Sequence, residues 1–173
     1  MYVDILILSH LASRPSHGYE IKKSVERILG GNIALNNNLL YPALRRFEEM
    51  GAVRREVEAR GGRPNRHVYH LTEVGTEVLQ GLLHDFSPDI ARDETEFLVR
   101  VAFFDLLDPP ARLEILAKRR VALSEHLAHL AAMRPESAAY SPYAVQVTDF
   151  LEQQIRLEVD WVDALTQREG GQL

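Results

Sequence analysis

Apolar residues fall at helical spacing along most of the chain, and the pattern turns to alternation only once. The stretch from Val3 to Ala12 is apolar almost throughout and stops at Ser13-Arg14-Pro15, which reads as a buried helix and its terminator. A second helix is expected from near Ser16, with Ile21, Val25, Ile28 and Leu29 on one stripe and Gly30-Gly31 at its end. After the polar stretch Asn32 to Asn38, a third apolar face follows in Leu40, Ala43, Leu44 and Phe47, closed by Gly51. Asn37 or Asn38 is the expected cap of this third helix. Pro42 then falls in about its first turn, where a missing N–H is tolerated.

Alternation appears next. Val53 and Val57 predict one short strand, and His67 to Leu71 predict a second. The basic, glycine-bearing segment Arg60-Gly61-Gly62-Arg63-Pro64-Asn65-Arg66 lies between them and predicts a turn. Thr72 caps a fourth helix carrying Val74, Val78, Leu79, Leu82 and Leu83. Phe86-Ser87-Pro88-Asp89 is the best boundary in the chain, so two domains are expected, 1–86 and 87–173. Everything beyond it reads as helix. One segment spans Asp93–Leu107; the next is capped by Asp108, with apolar positions at 113, 116, 123, 127 and 130 and Arg120 on the same seam. The longest helix is expected over Ala144–Gln167, where Val147, Phe150, Leu151, Ile155, Leu157, Trp161, Val162 and Leu165 cover more than one face. A helix apolar on two sides packs against two partners. The fold class is therefore mainly α with a small β-hairpin.

Composition narrows the function. The absence of cysteine excludes disulfides, thiolate metal sites and a cysteine nucleophile. Asp4 stands where a secretory leader is basic, and the longest apolar run, Phe97–Leu107, is cut by Arg100 and Asp105, so a cytoplasmic chain without membrane contact is expected. No phosphate loop, nucleophile elbow or metal motif is present, which argues against an enzyme, a cofactor or a bound metal. His126 and His129 share a helix face but lack a carboxylate at matching spacing, and His67 and His70 point to opposite faces of a strand. The net charge of −5 hides an asymmetry: residues 1–83 carry 11 Lys/Arg against 9 Asp/Glu, and residues 84–173 carry 9 against 16. A basic front on an acidic rear suits a DNA-contacting module joined to a separate partner region.

Helix, helix, turn, helix, basic hairpin, helix is the order of a winged helix-turn-helix. In that geometry the start of the third helix meets base edges in the major groove. Here it carries Asn36, Asn37, Asn38 and Tyr41, with Arg45 one turn on. Asn pairs bidentately with adenine and Arg with guanine, while Arg46 and Tyr41 suit phosphates. Arg60, Arg63 and Arg66 on the hairpin suit phosphates or the minor groove. A winged helix used only for protein contacts is the alternative reading.

His17-Gly18-Tyr19-Glu20-Ile21, Leu39 through Glu48 (LLYPALRRFE), Gly62-Arg63-Pro64 and Tyr69 through Gly75 (YHLTEVG) together resemble the motifs of PadR-type transcription regulators, in order and spacing, over residues 3–83. The small Ser/Gly/Thr-type turn usual before the Leu-Tyr-Pro element is replaced here by Asn36-Asn37-Asn38. MarR-type regulators are the nearest rival, but they flank the winged helix with dimerising helices at both ends. The resemblance implies a dimeric repressor on a palindromic operator in double-stranded DNA, released by a small aromatic effector or another stress signal. Leu151, Ile155, Trp161, Val162 and Leu165 are the expected homodimer surface. His10, Tyr19, Phe104 and Trp161 are the expected effector residues, chosen for side-chain type and inferred position.

Overall fold

A computed structural model describes residues 1–31, 35–58 and 66–171, except the side chains of residue 29 and of residues 135–140. The chain divides into two compact units, Met1–Asp85 with Leu98–Leu107, and Phe86–Phe97 with Asp108–Leu173.

The first unit is built around α1 (Tyr2–Ser13), whose residues Ile5 to Leu11 are all buried. It meets the next two helices, the central strand and α4 (Glu73–His84), which explains why its sequence has no polar face. β1 (Ser16–His17) precedes α2 (Gly18–Val25), so the second helix starts later than the sequence suggests. Ser16 and His17 are extended because they pair with Tyr69 and Val68, an interaction fifty residues away. Ile28–Gly31 forms a separate 3-10 turn rather than the end of α2.

α3 (Asn37–Glu49) buries Leu40, Ala43, Leu44 and Phe47, as their spacing predicts. It ends in a Schellman motif: Gly51 has φ of +73°, its N–H donates to Glu48 O at 3.0 Å, and Ala52 N–H donates to Phe47 O at 2.8 Å. β2 (Val53–Glu58) and β3 (Arg66–Leu71) form the hairpin, in register Val53↔Leu71 through Glu58↔Arg66. The sheet order β1-β3-β2 puts β3 in the centre. Thr72 caps α4 by accepting from Gly75 N–H at 3.1 Å and donates its own hydroxyl to Gly51 O at 2.7 Å. One side chain thus joins the end of α3 to the start of α4. At the other end of α4, fully buried Arg100 donates to Leu82 O at 3.0 Å and Asp85 O at 2.8 Å, placing a cation where the helix dipole is negative. Gln80 Nε2 donates to Leu106 O at 3.1 Å. These bonds draw Leu98–Leu107 into the first unit.

The 93–107 segment is two pieces, α6 (Glu94–Ala102) and a 3-10 turn Phe104–Leu106, preceded by the short α5 (Pro88–Ala91). α7 (Pro109–Tyr140) has 32 residues and is longer than α8 (Pro142–Gly170), which has 29, although the apolar pattern makes α8 the longest. Ser141 accepts from Ala144 N–H at 3.1 Å and Pro142 takes the first helical position, so the turn between them has a clear local cause. α7 and α8 pack along their lengths. The buried stripe of α8 is Thr148, Ile155, Val159, Val162 and Glu169. Among the described residues, no helix is long and apolar enough to cross a membrane.

Candidate nucleic-acid interface

α3 shows one face inward and another to solvent. Asn36 is its cap, accepting from Leu39 N–H at 3.0 Å, so Asn37 and Asn38 belong to the first turn rather than to the cap. This shift moves Pro42 to the sixth helical position, beyond the first turn expected for it. The cost is one hydrogen bond: the Asn38 carbonyl has no i+4 N–H to accept, and its exposed residue leaves water to serve it. Asn37, Asn38, Tyr41, Arg45, Arg46 and Glu49 line an open groove of about 380 Å³ along the outer face.

Three interactions fix this face. The Tyr41 ring lies over Gly18, where an added Cβ would stand 3.1 Å from both Cε1 and the hydroxyl, so the missing side chain at the start of α2 gives the ring its seat. Arg46 reaches back to Asp4 in α1 with an N···O distance of 2.5 Å and lies over the Phe47 ring. Arg55 on β2 pairs with Glu48 on α3 at 3.2 Å, tying the hairpin to the helix. Arg45 is exposed and has no acceptor among the described residues. Of the two adjacent arginines, one is held and one is free.

The hairpin carries Arg66 at its β3 end, paired in register with Glu58 and placed 5.7 Å from the Tyr19 ring centre. Arg60 and Arg63 lie outside the described residues. Tyr19 is exposed and stacks on His17 at 5.7 Å and 12°. The His17 ring is in turn anchored by Nδ1, 3.0 Å from His67 O. Tyr19 therefore sits beside the loop-side end of β3, next to the last strand pair of the hairpin. The buried tyrosine of this region is Tyr69 on β3, whose hydroxyl is pushed above its usual pKa, chiefly by burial.

The other expected site residues are dispersed. His10 is buried in α1 with Nε2 2.9 Å from Ser16 Oγ, and burial, aided by Arg14, holds its pKa below the usual histidine value. Phe104 is buried in the first unit. Trp161 belongs to the second, where its ring meets Phe97 edge-on at 5.8 Å and 76°. Of the five expected dimer residues, Ile155 and Val162 are buried within the chain, because they lie on the stripe that α7 covers. Leu165 is half-buried, and Leu151 and Trp161 retain exposed surface. The contacts made by Asp4, Gly18, Glu48 and Arg55 are not marked in the sequence, although Gly18 and Glu48 stand within its motifs. Each acts through a partner on another element, and no local spacing marks such a pair.

Comparison with known proteins places these features. Residues 7–81 match the transcriptional regulator PadR-like family. A PadR family transcription regulator from hypervirulent Clostridium difficile R20291 is 34% identical over 46% of this chain and 81% of that one, with a TM-score of 0.39. Bacillus subtilis PadR in complex with operator DNA is 19% identical over 98% of this chain and 99% of that one, with a TM-score of 0.46. The PadR-like regulator BC1756 from Bacillus cereus is 19% identical over 98% and 96%, with a TM-score of 0.41. No curated protein matches the chain. Residues 7–81 are therefore a PadR-like family domain, of a family of transcriptional regulators and not of enzymes.

Proposed function

We propose that the chain is a cytoplasmic, homodimeric repressor that grips a palindromic operator through α3 and the hairpin. The observation that carries this reading is the outer face of α3, where the Arg45 guanidinium, unpaired among the described residues, stands beside exposed Asn37, Asn38 and Tyr41. Arg45 reads guanine, Asn37 and Asn38 read adenine, and Tyr41 meets a phosphate. Asn36 contributes as the cap that starts the helix. Arg66, with Arg60 and Arg63, follows the phosphates beside the major groove. Residues 1–86 are the DNA-binding part and residues 87–173 the dimerising part.

Dimerisation rests on a second apolar stripe of α8, separate from the one that meets α7. Tyr143, Val147, Phe150, Leu157 and Trp161 recur at intervals of three, four and seven and are all exposed. A second copy covering this stripe sets two recognition helices about one turn of DNA apart, ~34–36 Å. Trp161 lies on the same stripe and is the residue through which a planar aromatic effector acts, by favouring a helix spacing that DNA does not accept. His10, Tyr19 and Phe104 are not part of that proposal.

The test is selection of duplexes from a random pool, followed by fluorescence anisotropy at two salt concentrations. Arg45→Ala is expected to weaken the selected duplex by ~1–3 kcal/mol and to relax preference at one base pair. If the wild-type protein selects no duplex and binds none, the protein-contact reading of the winged helix replaces this one.

A further inference from the structure

The two neighbouring arginines of α3 are in different electrostatic states, and the difference comes from α1. Asp4 stands in the first turn of α1, where a carboxylate complements the helix dipole, and its Oδ1 meets Arg46 Nη2 at 2.5 Å across 42 residues of sequence. Arg45 has no such partner among the described residues. Arg46 remains half-exposed and lines the same groove as Arg45, so the pairing is not a consequence of burial.

We propose that Asp4 is a specificity-determining residue: by neutralising Arg46 it removes sequence-independent attraction for phosphates and leaves Arg45 to supply the charge that reads bases. The inference rests on the DNA-binding reading above. Attraction to phosphate is the same for every sequence, and each arginine that neutralises a phosphate releases condensed counterions and steepens the salt dependence. A regulator succeeds by the ratio of specific to nonspecific affinity, not by either alone. A free Arg46 raises the affinity for random duplex, where nearly all the binding is electrostatic and any phosphate in reach serves, by a larger factor than that for the operator, where base contacts fix the register and the guanidinium cannot seek its best phosphate. Tied to Asp4, it contributes no net charge. A phosphate approaching Arg46 also meets the Asp4 carboxylate within bonding distance of the same guanidinium, a like charge that opposes it. Glu48 treats Arg55 in the same manner on the hairpin, at 3.2 Å. Two arginines flanking this face, Arg46 and Arg55, are thus closed into ion pairs, while Arg45 is not paired among the described residues.

The test compares the full-length protein with Asp4→Asn on two labelled probes, a random-sequence duplex and the tightest duplex selected by the wild type. Asp4→Asn is expected to tighten the random duplex about 3- to 10-fold at moderate salt and to steepen its log–log salt slope by about 1. The ratio of affinities for the two probes falls accordingly. Arg46→Gln, which removes a charge already cancelled, is expected to leave random-duplex binding and its salt slope almost unchanged. In an Arg46→Gln background the Asp4→Asn gain disappears. A parallel loss of affinity on both probes in Asp4→Asn overturns the proposal, because it makes Asp4 a support for a phosphate contact by Arg46. A shallower salt slope in Arg46→Gln overturns it from the other side. Absence of wild-type binding to either probe would instead remove the DNA-binding reading itself.

Discussion

Arg119 grips Glu158 with two parallel hydrogen bonds of 2.7 and 2.8 Å, while its third nitrogen donates to Ala91 O at 2.7 Å. The guanidinium also lies 5.3 Å from the centre of the Phe97 ring. It is the most buried member of a ladder between antiparallel helices, in which Arg112 meets Glu169 at one end and Arg134 meets Asp149 at the other. Glu158→Ala leaves a guanidinium buried beside an empty position. A loss of ~3–5 kcal/mol in unfolding free energy is expected, whereas Arg119→Met with Glu158→Leu loses much less. Urea denaturation of both variants checks this; equal losses would refute the assignment.

Gly75 and Gly81 sit in the same helix with opposite surroundings. A Cβ on Gly75 would stand 2.1 Å from Ala52 O and 2.5 Å from Leu71 Cδ1, whereas at Gly81 nothing lies within 4 Å. Gly75→Ala forces α4 away from the loop that follows α3 and is expected to destabilise by ~1–3 kcal/mol. Gly81→Ala gains helix propensity and is expected to stabilise by about 0.5–1 kcal/mol. The two melting temperatures should move in opposite directions.

His10 makes stability depend on pH on the acid side of neutrality. Its folded pKa lies below the usual 6.5, through burial and then Arg14, so the unfolded chain takes up its proton first. The contribution is fully present above pH 6.5 and declines as pH falls from there towards the folded value. His10→Gln is expected to flatten that part of the stability profile. Glu20, whose pKa is lowered chiefly by the His17 N–H, likewise loses its contribution as pH falls, but only below about 4.5. Denaturation midpoints between pH 7 and pH 5 in wild type and variant separate the two.

Phe150 and Leu157 are two turns apart on the exposed stripe of α8, and Leu157 is 72% exposed. Phe150→Glu with Leu157→Glu is expected to yield a monomer at concentrations where the wild type sediments as a dimer, with unchanged helical circular dichroism. A wild-type chain that sediments as a monomer at micromolar concentration would end the dimer reading.

The helices were legible where one chain segment carries its own reasons. Leu40, Ala43, Leu44 and Phe47 declare a buried face, and Thr72 and Gly51 declare a start and a stop. What escaped depends on partners distant in sequence. Ser16 and His17 look like a helix start until β3 is beside them, and α8 hides which of its two apolar stripes α7 takes. The same limit applies to the interface. Helical position alone separates Arg45 from Arg46 in the sequence and suits Arg46 to a phosphate; the return of α1 to α3, bringing Asp4, gives Arg46 an intramolecular partner that no local spacing marks.

The central strand has a consequence for how such a scaffold can diverge. Val68 and Tyr69 are paired on one side with His17 and Ser16 and on the other with Glu56 and Arg55, so β3 is locked in register from both edges. The last hairpin pair is Glu58↔Arg66, and the segment joining them lies beyond every locked position. Insertions or deletions there change the reach of the hairpin without shifting a single strand pair, and the entropy of closing a loop grows only slowly with its length. Length variation in that segment is therefore a cheap evolutionary change, open while every strand pair of the module stays in place.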